Sequence, residues 1–375
     1  MSTSAVERAT IAIEKLRALE STIGAVAALD PERSLTDAAR SDERIAAGTA
    51  GPLEGVPITV KDWIDVAGWP ITGATAAGGT SDRRPTDDAT AVARLRAAGA
   101  VIVGITRAMA ENAVHGKTLN PRDPTLAPGG SSSGAAAVVA ADAVPIALGS
   151  DSGGSIRLPA AWCGVAGLKP SFGRVPLTGH FPRCGGREDG RTVIGPIAGT
   201  VDDLARMLAV INGPDGLDLS VAPVPLEPEP ADVSTLRVGV FSDSHRVRLA
   251  RCGLTLVDDR VPDPRAEALD ITRRYWTRGE LSGAEVVQLS WDWDRFRRRM
   301  SIATARFDAM VLPAAPMPPP PWRESEEADY EWQLPWSLTG APVVVVPLGT
   351  DAVQVVAAPW CDHIALAVAR AIEAA

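Results

Sequence analysis

The sequence predicts an α/β sandwich in which helices cover a large mixed β-sheet. Residues 87–106 are typical of a helix, a glycine turn and a buried strand, in that order. Residues 131–154 repeat that order with a more apolar helix, and residues 342–359 indicate two buried strands joined by a tight turn. A chain of 375 residues is long enough to bury such a core, as one large domain or as two smaller ones.

The first half of the chain supplies three further elements. Residues 1–29 mix charged and apolar residues as an amphipathic helix does, and a polar connection is expected from there to about residue 51. Residues 55–68 are β-branched and end in glycine, which favours a strand or a hairpin. Residues 200–213 predict an amphipathic helix capped by Thr200.

The second half is less regular. Residues 221–233 are rich in proline and lead directly into a strand at 236–241, so we interpret them as a surface excursion and not as a domain boundary. Residues 271–300 predict interrupted helix, and a last helix is expected from about Asp362.

Composition excludes several classes of protein. The net charge of −9 and the pI near 5.1 argue against nucleic acid or an anionic membrane as the main partner. The most apolar run, 134–149, is too short to span a bilayer. Without a recognisable signal peptide, and with cysteines that lack metal or redox spacing, the sequence predicts a cytoplasmic protein with reduced thiols. Those cysteines are Cys163, Cys184, Cys252 and Cys361.

The stretch GSDSGGSIRLPAAWCG, residues 149–164, is the first candidate for chemistry. Gly153 and Gly154 leave their backbone N–H groups uncovered, and such donors can converge on one external atom. A hydroxyl beside them, that of Ser155, suggests an acyl-enzyme nucleophile with its oxyanion hole. The alternative is a plain Gly-Gly-Ser loop.

Lys61 is a candidate base because it lies inside an apolar strand, PITVKDW. Burial disfavours the ammonium form of lysine, which can leave the amine neutral and basic. The alternative is a lysine that extends its amine to the surface or pairs with Asp62 or Asp65.

A second glycine-serine cluster, PGGSSSG, occupies residues 128–134. It contains the G-x-S-x-G pattern of a nucleophile elbow, but a proline-broken loop precedes it where the elbow requires a strand. A phosphate-binding loop is excluded because no Gly-Lys-Ser/Thr follows. The cluster therefore predicts a Gly-Ser loop that opens a buried helix.

Together these segments resemble one known family. Lys61 in GVPITVKD, Ser131 in PGGSSSG and Ser155 in DSGGSIRLPA match in order and spacing the three catalytic positions of the amidase signature family. The resemblance extends from about residue 51 to residue 213. Other matching stretches are CGVAGLKPSFGRVP at 163–176, GPIAGTVDDLARML at 195–208 and, more weakly, residues 307–349.

The resemblance implies an α/β/α sandwich and Ser–cis-Ser–Lys catalysis without metal or cofactor. Ser155 would attack the amide carbonyl. Ser131, after a cis peptide bond from Gly130, would bridge Ser155 to Lys61, the final proton acceptor. The implied oxyanion hole consists of the N–H groups of Ser152, Gly153, Gly154 and Ser155.

Two charged residues flank this nucleophile loop. The resemblance favours a structural ion pair between Asp151 and Arg157 behind the loop. Arg157 could instead bind an acidic substrate. Cys163 lies among apolar residues in WCGVAG, which favours a core position over a role as a thiol nucleophile.

The chain is short for this family. The segments that look reduced are 242–253, 110–121 and GTDA at 349–352. Because such peripheral segments help to wall the pocket, the site is either more open or completed by a partner subunit or a second copy. We divide the single domain into a helical region, a catalytic core, a proline-rich connection and a shortened C-terminal part. These are residues 1–50, 51–213, 221–235 and 236–375.

The sequence thus predicts an amidase that hydrolyses the C–N bond of a small-molecule carboxylic amide. One alternative is the A-type subunit of an amidotransferase, which passes ammonia within a glutaminase complex. Another is a non-catalytic binding protein on the same fold.

Overall fold

The computed structural model describes residues 3–75, 78–80, 82–181, 189–241, 243–258, 261–349 and 351–375. The α-helices in these ranges are α1 (Ala5–Ile23), α2 (Pro31–Ala46), α3 (Thr90–Ala97), α4 (Ser133–Ala140), α5 (Arg157–Cys163), α6 (Val201–Ile211), α7 (Asp243–Leu249), α8 (Arg265–Trp276), α9 (Gly283–Thr304), α10 (Leu334–Thr339) and α11 (Asp362–Glu373). Short 3₁₀ helices lie at Val233–Thr235, Arg278–Glu280 and Glu327–Tyr330.

The strands are β1 (Val26–Ala28), β2 (Pro57–Lys61), β3 (Val101–Thr106), β4 (Glu111–Asn112), β5 (Gly116–Lys117), β6 (Ile146–Asp151), β7 (Ala166–Lys169), β8 (Val193–Ala198), β9 (Arg237–Val240), β10 (Thr255–Val257), β11 (Ala309–Pro313), β12 (Val343–Leu348) and β13 (Asp351–Ala357).

One mixed sheet of eleven strands forms the centre of the described fold. Its order is β1-β3-β2-β6-β8-β7-β12-β13-β11-β9-β10, and β4 and β5 form a separate pair. β2 runs parallel to both β3 and β6, whereas the pairs from β6 to β11 are antiparallel. The predicted large mixed sheet is confirmed.

Helices cover both faces of this sheet. Successive residues of a strand point to opposite faces. In β3, Ile102 belongs to the apolar cluster that contains residues of α3, α6 and α11, whereas Val101 and Val103 belong to the cluster that contains residues of α1 and α4. The predicted sandwich of helix, sheet and helix layers is therefore confirmed.

The N-terminal expectation was wrong in two places. The first helix ends at Ile23, where Gly24 adopts a left-handed φ of 63°, and β1 follows as an edge strand antiparallel to β3. The expected polar connection is largely helix α2, capped by the Asp30 side chain. The buried face of α2 consists of the small residues Ser34, Ala38 and Ser41, which give no apolar periodicity to detect.

Residues 55–68 contain one strand, β2, and not a hairpin. β2 is buried throughout because it lies between two parallel neighbours and is covered on both faces. Ile58 and Val60 pack in the layer of α3 and α6, so the alternation directs Lys61 to the layer of α4. Val60 is aligned with Leu148 of β6, which brings the carboxyl ends of β2 and β6 together.

Most other sequence predictions are confirmed. The order of helix, glycine turn and strand is present in α3 and β3, and again in α4 and β6. Thr200 caps α6 by accepting a hydrogen bond from the Asp203 N–H, β12 and β13 are adjacent antiparallel strands, and α11 begins at Asp362. No helix in the described ranges is long and apolar enough to cross a membrane.

Candidate active site

Lys61 is the last residue of β2 and is completely buried. Its Nζ atom lies 2.8 Å from Ser131 Oγ, 3.1 Å from Ser132 Oγ and 3.2 Å from Ser150 Oγ. The same Nζ atom lies 4.2 Å from the centre of the Trp63 ring. The amine thus stays inside the fold, within hydrogen-bond distance of the serine loop, and does not reach the surface.

The serine cluster forms the loop before α4. The peptide bond between Gly130 and Ser131 is cis, as the resemblance implies. Ser132 Oγ donates to the Ser150 carbonyl, and Ser133 Oγ donates to the Met109 carbonyl, so both are engaged inside the protein. Among the described serines that contact Lys61, Ser131 is the one that also lines the adjacent cavity.

This arrangement predicts unequal effects for the three neighbouring serines. Ser131→Ala is expected to lower kcat/KM by about 10²-fold or more, because a positioned proton-transfer group contributes about 10²–10⁴-fold. Ser132→Ala and Ser133→Ala should each have a much smaller effect. The measurement is steady-state kinetics of the three variants on one amide, with circular dichroism to establish folding. Equal losses at all three positions would mean that the loop is only structural.

Ser155 lies between β6 and α5 and is partly exposed to the same cavity. Its backbone carbonyl accepts a hydrogen bond of 3.0 Å from the Ser132 N–H, which joins the two serine loops. Ser152 and Gly153 also line the cavity. Ser155 and Ser131 are therefore brought to one solvent-accessible cavity, as the sequence predicted.

One expected oxyanion donor is engaged elsewhere. The Gly154 N–H donates to Asp151 Oδ1 at 2.8 Å, and the Ile156 N–H donates to Asp151 Oδ2 at 3.1 Å. The carboxylate at the end of β6 accepts these bonds from behind the loop. The expectation for Gly154 was wrong, and the N–H groups of Ser152, Gly153 and Ser155 stay as the predicted oxyanion donors.

Asp151 and Arg157 form a fully buried ion pair of 2.9 Å. Arg157 also donates to the Gln333 carbonyl and to Ser337 Oγ, so its Nε, Nη1 and Nη2 atoms all bind protein groups. Burial alone would raise the pKa of Asp151, but the charge and hydrogen bonds of Arg157 lower it to about 2. This geometry favours the structural interpretation of the pair over binding of an acidic substrate by Arg157.

The pair should contribute strongly to stability. Arg157→Met leaves the Asp151 carboxylate buried and unpaired, which is expected to cost about 3–5 kcal/mol of unfolding free energy. The control Arg206→Met, which removes an exposed pair with Asp203, should cost at most about 1 kcal/mol. Both are measured by urea unfolding.

The direction of the pH effect follows from the lowered pKa of Asp151. The contribution of the pair is fully present above the ordinary carboxyl pKa of 3.8 and is lost as the pH falls through about 2. Unchanged stability of Arg157→Met, with a raised KM for acidic amides only, would instead support the substrate-binding role.

The cavity in front of Ser131 and Ser155 has a volume of about 370 Å³. Tyr330 lines it and donates from its hydroxyl to the Gly130 carbonyl at 2.8 Å. Its ring also packs so closely on Gly154 that a Cβ there would lie 2.7 Å from the ring. Sequence reasoning missed Tyr330 because 200 residues separate it from Gly130 and no motif marks it.

Cys163 does not compete for the nucleophilic role. Its thiol is completely buried at the end of α5, and burial raises its pKa to about 12, so it is protonated at neutral pH. Cys252 and Cys361 are also free thiols, whereas Cys184 lies outside the described residues.

Comparison with known proteins agrees with this geometry. A sequence profile of the Amidase family matches residues 8–252, which is well over half of the chain. The chain belongs to the amidase family. The A-type subunit of the glutamyl-tRNA(Gln) amidotransferase of Chloroflexus aurantiacus is 42% identical to this amidase-family chain over 249 residues, which are 63% of this chain and 50% of the relative. The chain thus spans about half the length of the curated relatives it matches.

Solved structures share this fold over nearly all of the chain. A chain of a vestigial protein complex, described as revealing the origins of an s-triazine catabolic enzyme, superimposes with a TM-score of 0.87 at 27% identity. The match covers 99% of this chain and 95% of that chain. The peptide amidase PAM, solved with the competitive inhibitor chymostatin, gives a TM-score of 0.84 at 25% identity over 99% and 94% of the two chains.

Proposed function

We propose that this amidase-family protein hydrolyses a carboxylic amide through an acyl-enzyme on Ser155. The observation that carries the proposal is the 2.8 Å contact between Lys61 Nζ and Ser131 Oγ. Ser131 contacts the buried amine and lines the same cavity as the partly exposed Ser155, which supports a role for its hydroxyl as the proton relay between them. This arrangement supplies a base, a proton relay and a nucleophile.

The reaction has two steps, formation of the acyl-enzyme and its hydrolysis. Ser155 Oγ attacks the carbonyl carbon while its proton passes to Ser131, whose own proton passes to Lys61. The tetrahedral oxyanion would accept hydrogen bonds from backbone N–H groups at 152–155, apart from that of Gly154. The C–N bond then breaks, and the amine takes the proton back along the same relay. In the second step water attacks the acyl ester and gives a proton to the relay, which passes it to Ser155 Oγ as the ester bond breaks and the acid leaves.

The isolated chain tests this proposal. It is incubated with a panel of small, aromatic and diacid amides, and release of ammonia or amine is measured together with labelling of Ser155 by a fluorophosphonate. Amide cleavage without any added protein supports the hydrolase. Failure of the fluorophosphonate to label Ser155 would contradict the proposal and favour a non-catalytic binding protein.

A second candidate is the A-type subunit of an amidotransferase. The observation that favours it is the 42% identity to an amidotransferase subunit of that type. In that role the same relay would release ammonia from an amide donor for transfer to an acyl group held by a partner. Amide release that appears only when a partner protein is added would support this candidate over the hydrolase.

A further inference from the structure

The cavity in front of Ser155 has an apolar wall and an acidic rim. Much of its described wall is apolar and comes from α8, the first residue of α10 and the loops that follow β2 and β3. These residues are Trp63, Met109, Ala110, Leu269, Trp276 and Leu334. Among the described lining residues, those with charged side chains are all acidic: Glu324, Glu326 and Glu327. A cavity of this kind suits an apolar body that ends in a positive charge.

The local cations neutralise only part of this rim. Arg273 pairs with Glu327 at 2.7 Å. Arg323 binds Asp329 with two hydrogen bonds of 2.7 and 2.8 Å and lies 3.8 Å from Glu326.

Glu324 adds a further negative charge to the rim. It is exposed, and no cation of the described ranges lies within 4 Å of its carboxylate. Among the described residues, four carboxylates (Glu324, Glu326, Glu327 and Asp329) thus share the guanidinium groups of Arg273 and Arg323, which leaves this part of the rim with net negative charge.

Two residues of α8, Thr272 and Trp276, also line the cavity. Thr272 of α8 is 4% exposed, and its Oγ1 atom is buried without a hydrogen-bond partner in the described structure. Trp276, one turn along the helix, is 57% exposed and lines the same cavity. A buried hydroxyl without a partner is costly unless a ligand satisfies it, and an indole face attracts cations.

The buried guanidinium of Arg191, behind the Trp276 side of this wall, does not reverse the charge. Arg191 lies 4.6 Å from the Trp276 ring and 3.6 Å from Asp189, and it is completely buried. Because Asp189 balances its charge and Arg191 is not among the lining residues, the described lining of the cavity stays acidic.

We infer that the site takes amides that carry a cationic group on an apolar or aromatic body, away from the scissile bond. This inference rests on the proposed function and names its substrate class. The apolar wall holds the body, and the rim carboxylates attract the cation. Substrates with a carboxylate in place of the cation are repelled.

Protection of Ser155 against a fluorophosphonate tests the charge preference without knowledge of the natural substrate. The ligands are benzylamine, benzyl alcohol and benzoate, which share a ring and differ mainly in charge. Benzylamine should protect Ser155 at a concentration about tenfold lower than benzyl alcohol does, and benzoate should be weakest. The advantage of benzylamine should shrink at high salt, because the rim is exposed.

A charge-matched pair of double variants locates the effect. Glu324→Gln with Glu326→Gln should reduce the benzylamine advantage to about twofold or less. Glu14→Gln with Glu43→Gln removes the same two charges from exposed positions on α1 and α2, and should leave the advantage unchanged. If the rim variant does not fold, the ranking of the three ligands on the wild type and its salt dependence decide the question.

The outcomes separate this inference from the proposed function. Labelling of Ser155 with no preference for benzylamine over benzyl alcohol overturns the inference and leaves the hydrolase intact. Equal loss of the preference in both double variants also overturns it, since the charge effect would then be general. Absence of labelling at Ser155 removes the proposed function, and the inference with it.

Discussion

Ser155→Ala is expected to lower turnover by about 10⁴-fold or more while the protein stays folded. The substitution removes the nucleophile but keeps the backbone carbonyl that binds the Ser132 N–H, so the contact between the two serine loops is retained. Activity on an amide that the wild type cleaves is the measurement, with Ser21→Ala on the exposed side of α1 as the control.

Mass spectrometry of a stalled wild-type reaction identifies the acylated residue. The acyl mass should appear on the peptide that contains SGGSIR, residues 152–157. An adduct on Cys163 or Ser132 would show that Ser155 is not the nucleophile.

Lys61→Ala and Lys61→Arg should both be severely impaired although folded. A general base must be unprotonated, and an exposed lysine with a pKa of about 10.4 would be almost wholly charged at neutral pH. Lys61 is completely buried, and withdrawal from water disfavours its ammonium form. We therefore expect kcat/KM to fall on the acid side as Lys61 gains a proton. Arginine cannot replace it, because a guanidinium stays protonated in proteins.

The pH dependence of kcat/KM for the wild type and both variants is the decisive measurement. Lys15→Arg, on the exposed face of α1, is a matched control and should keep the wild-type profile. If Lys61→Arg retains near-normal activity with the same acid limb, another group is the base and the proposed relay is wrong.

Sequence reasoning predicted the elements whose cores are strongly apolar. β3, β6 and β12 are buried on both faces and appear as continuous apolar runs, so their strand character is visible without a structure. α2 was missed because small and polar residues form its buried face. The edge strand β1 was missed because three residues are too few to show a period.

The candidate site was predictable where its residues lie in motifs. The positions of Lys61, Ser131 and Ser155 were named from the sequence, and the fold places all three at or beside one cavity. The role of the Asp151 carboxylate as the acceptor for the Gly154 N–H was not predicted, because it depends on the conformation of a short loop. Tyr330 and the acidic rim come from a distant segment and carry no local signal.

The bonds that Arg157 makes to Gln333 and Ser337 limit how this chain could be shortened or recombined. The family profile ends at residue 252. Arg157, two residues after Ser155, nevertheless binds Gln333 and Ser337, which both lie beyond residue 252. β12 also lies beyond that residue and pairs with β7. A fragment cut at 252 would keep Lys61, Ser131 and Ser155 and lose the bonds from Arg157 to Gln333 and Ser337. In protein engineering, the last third of the chain is thus inseparable from the nucleophile, and exchange of C-terminal segments between relatives would have to preserve these bonds.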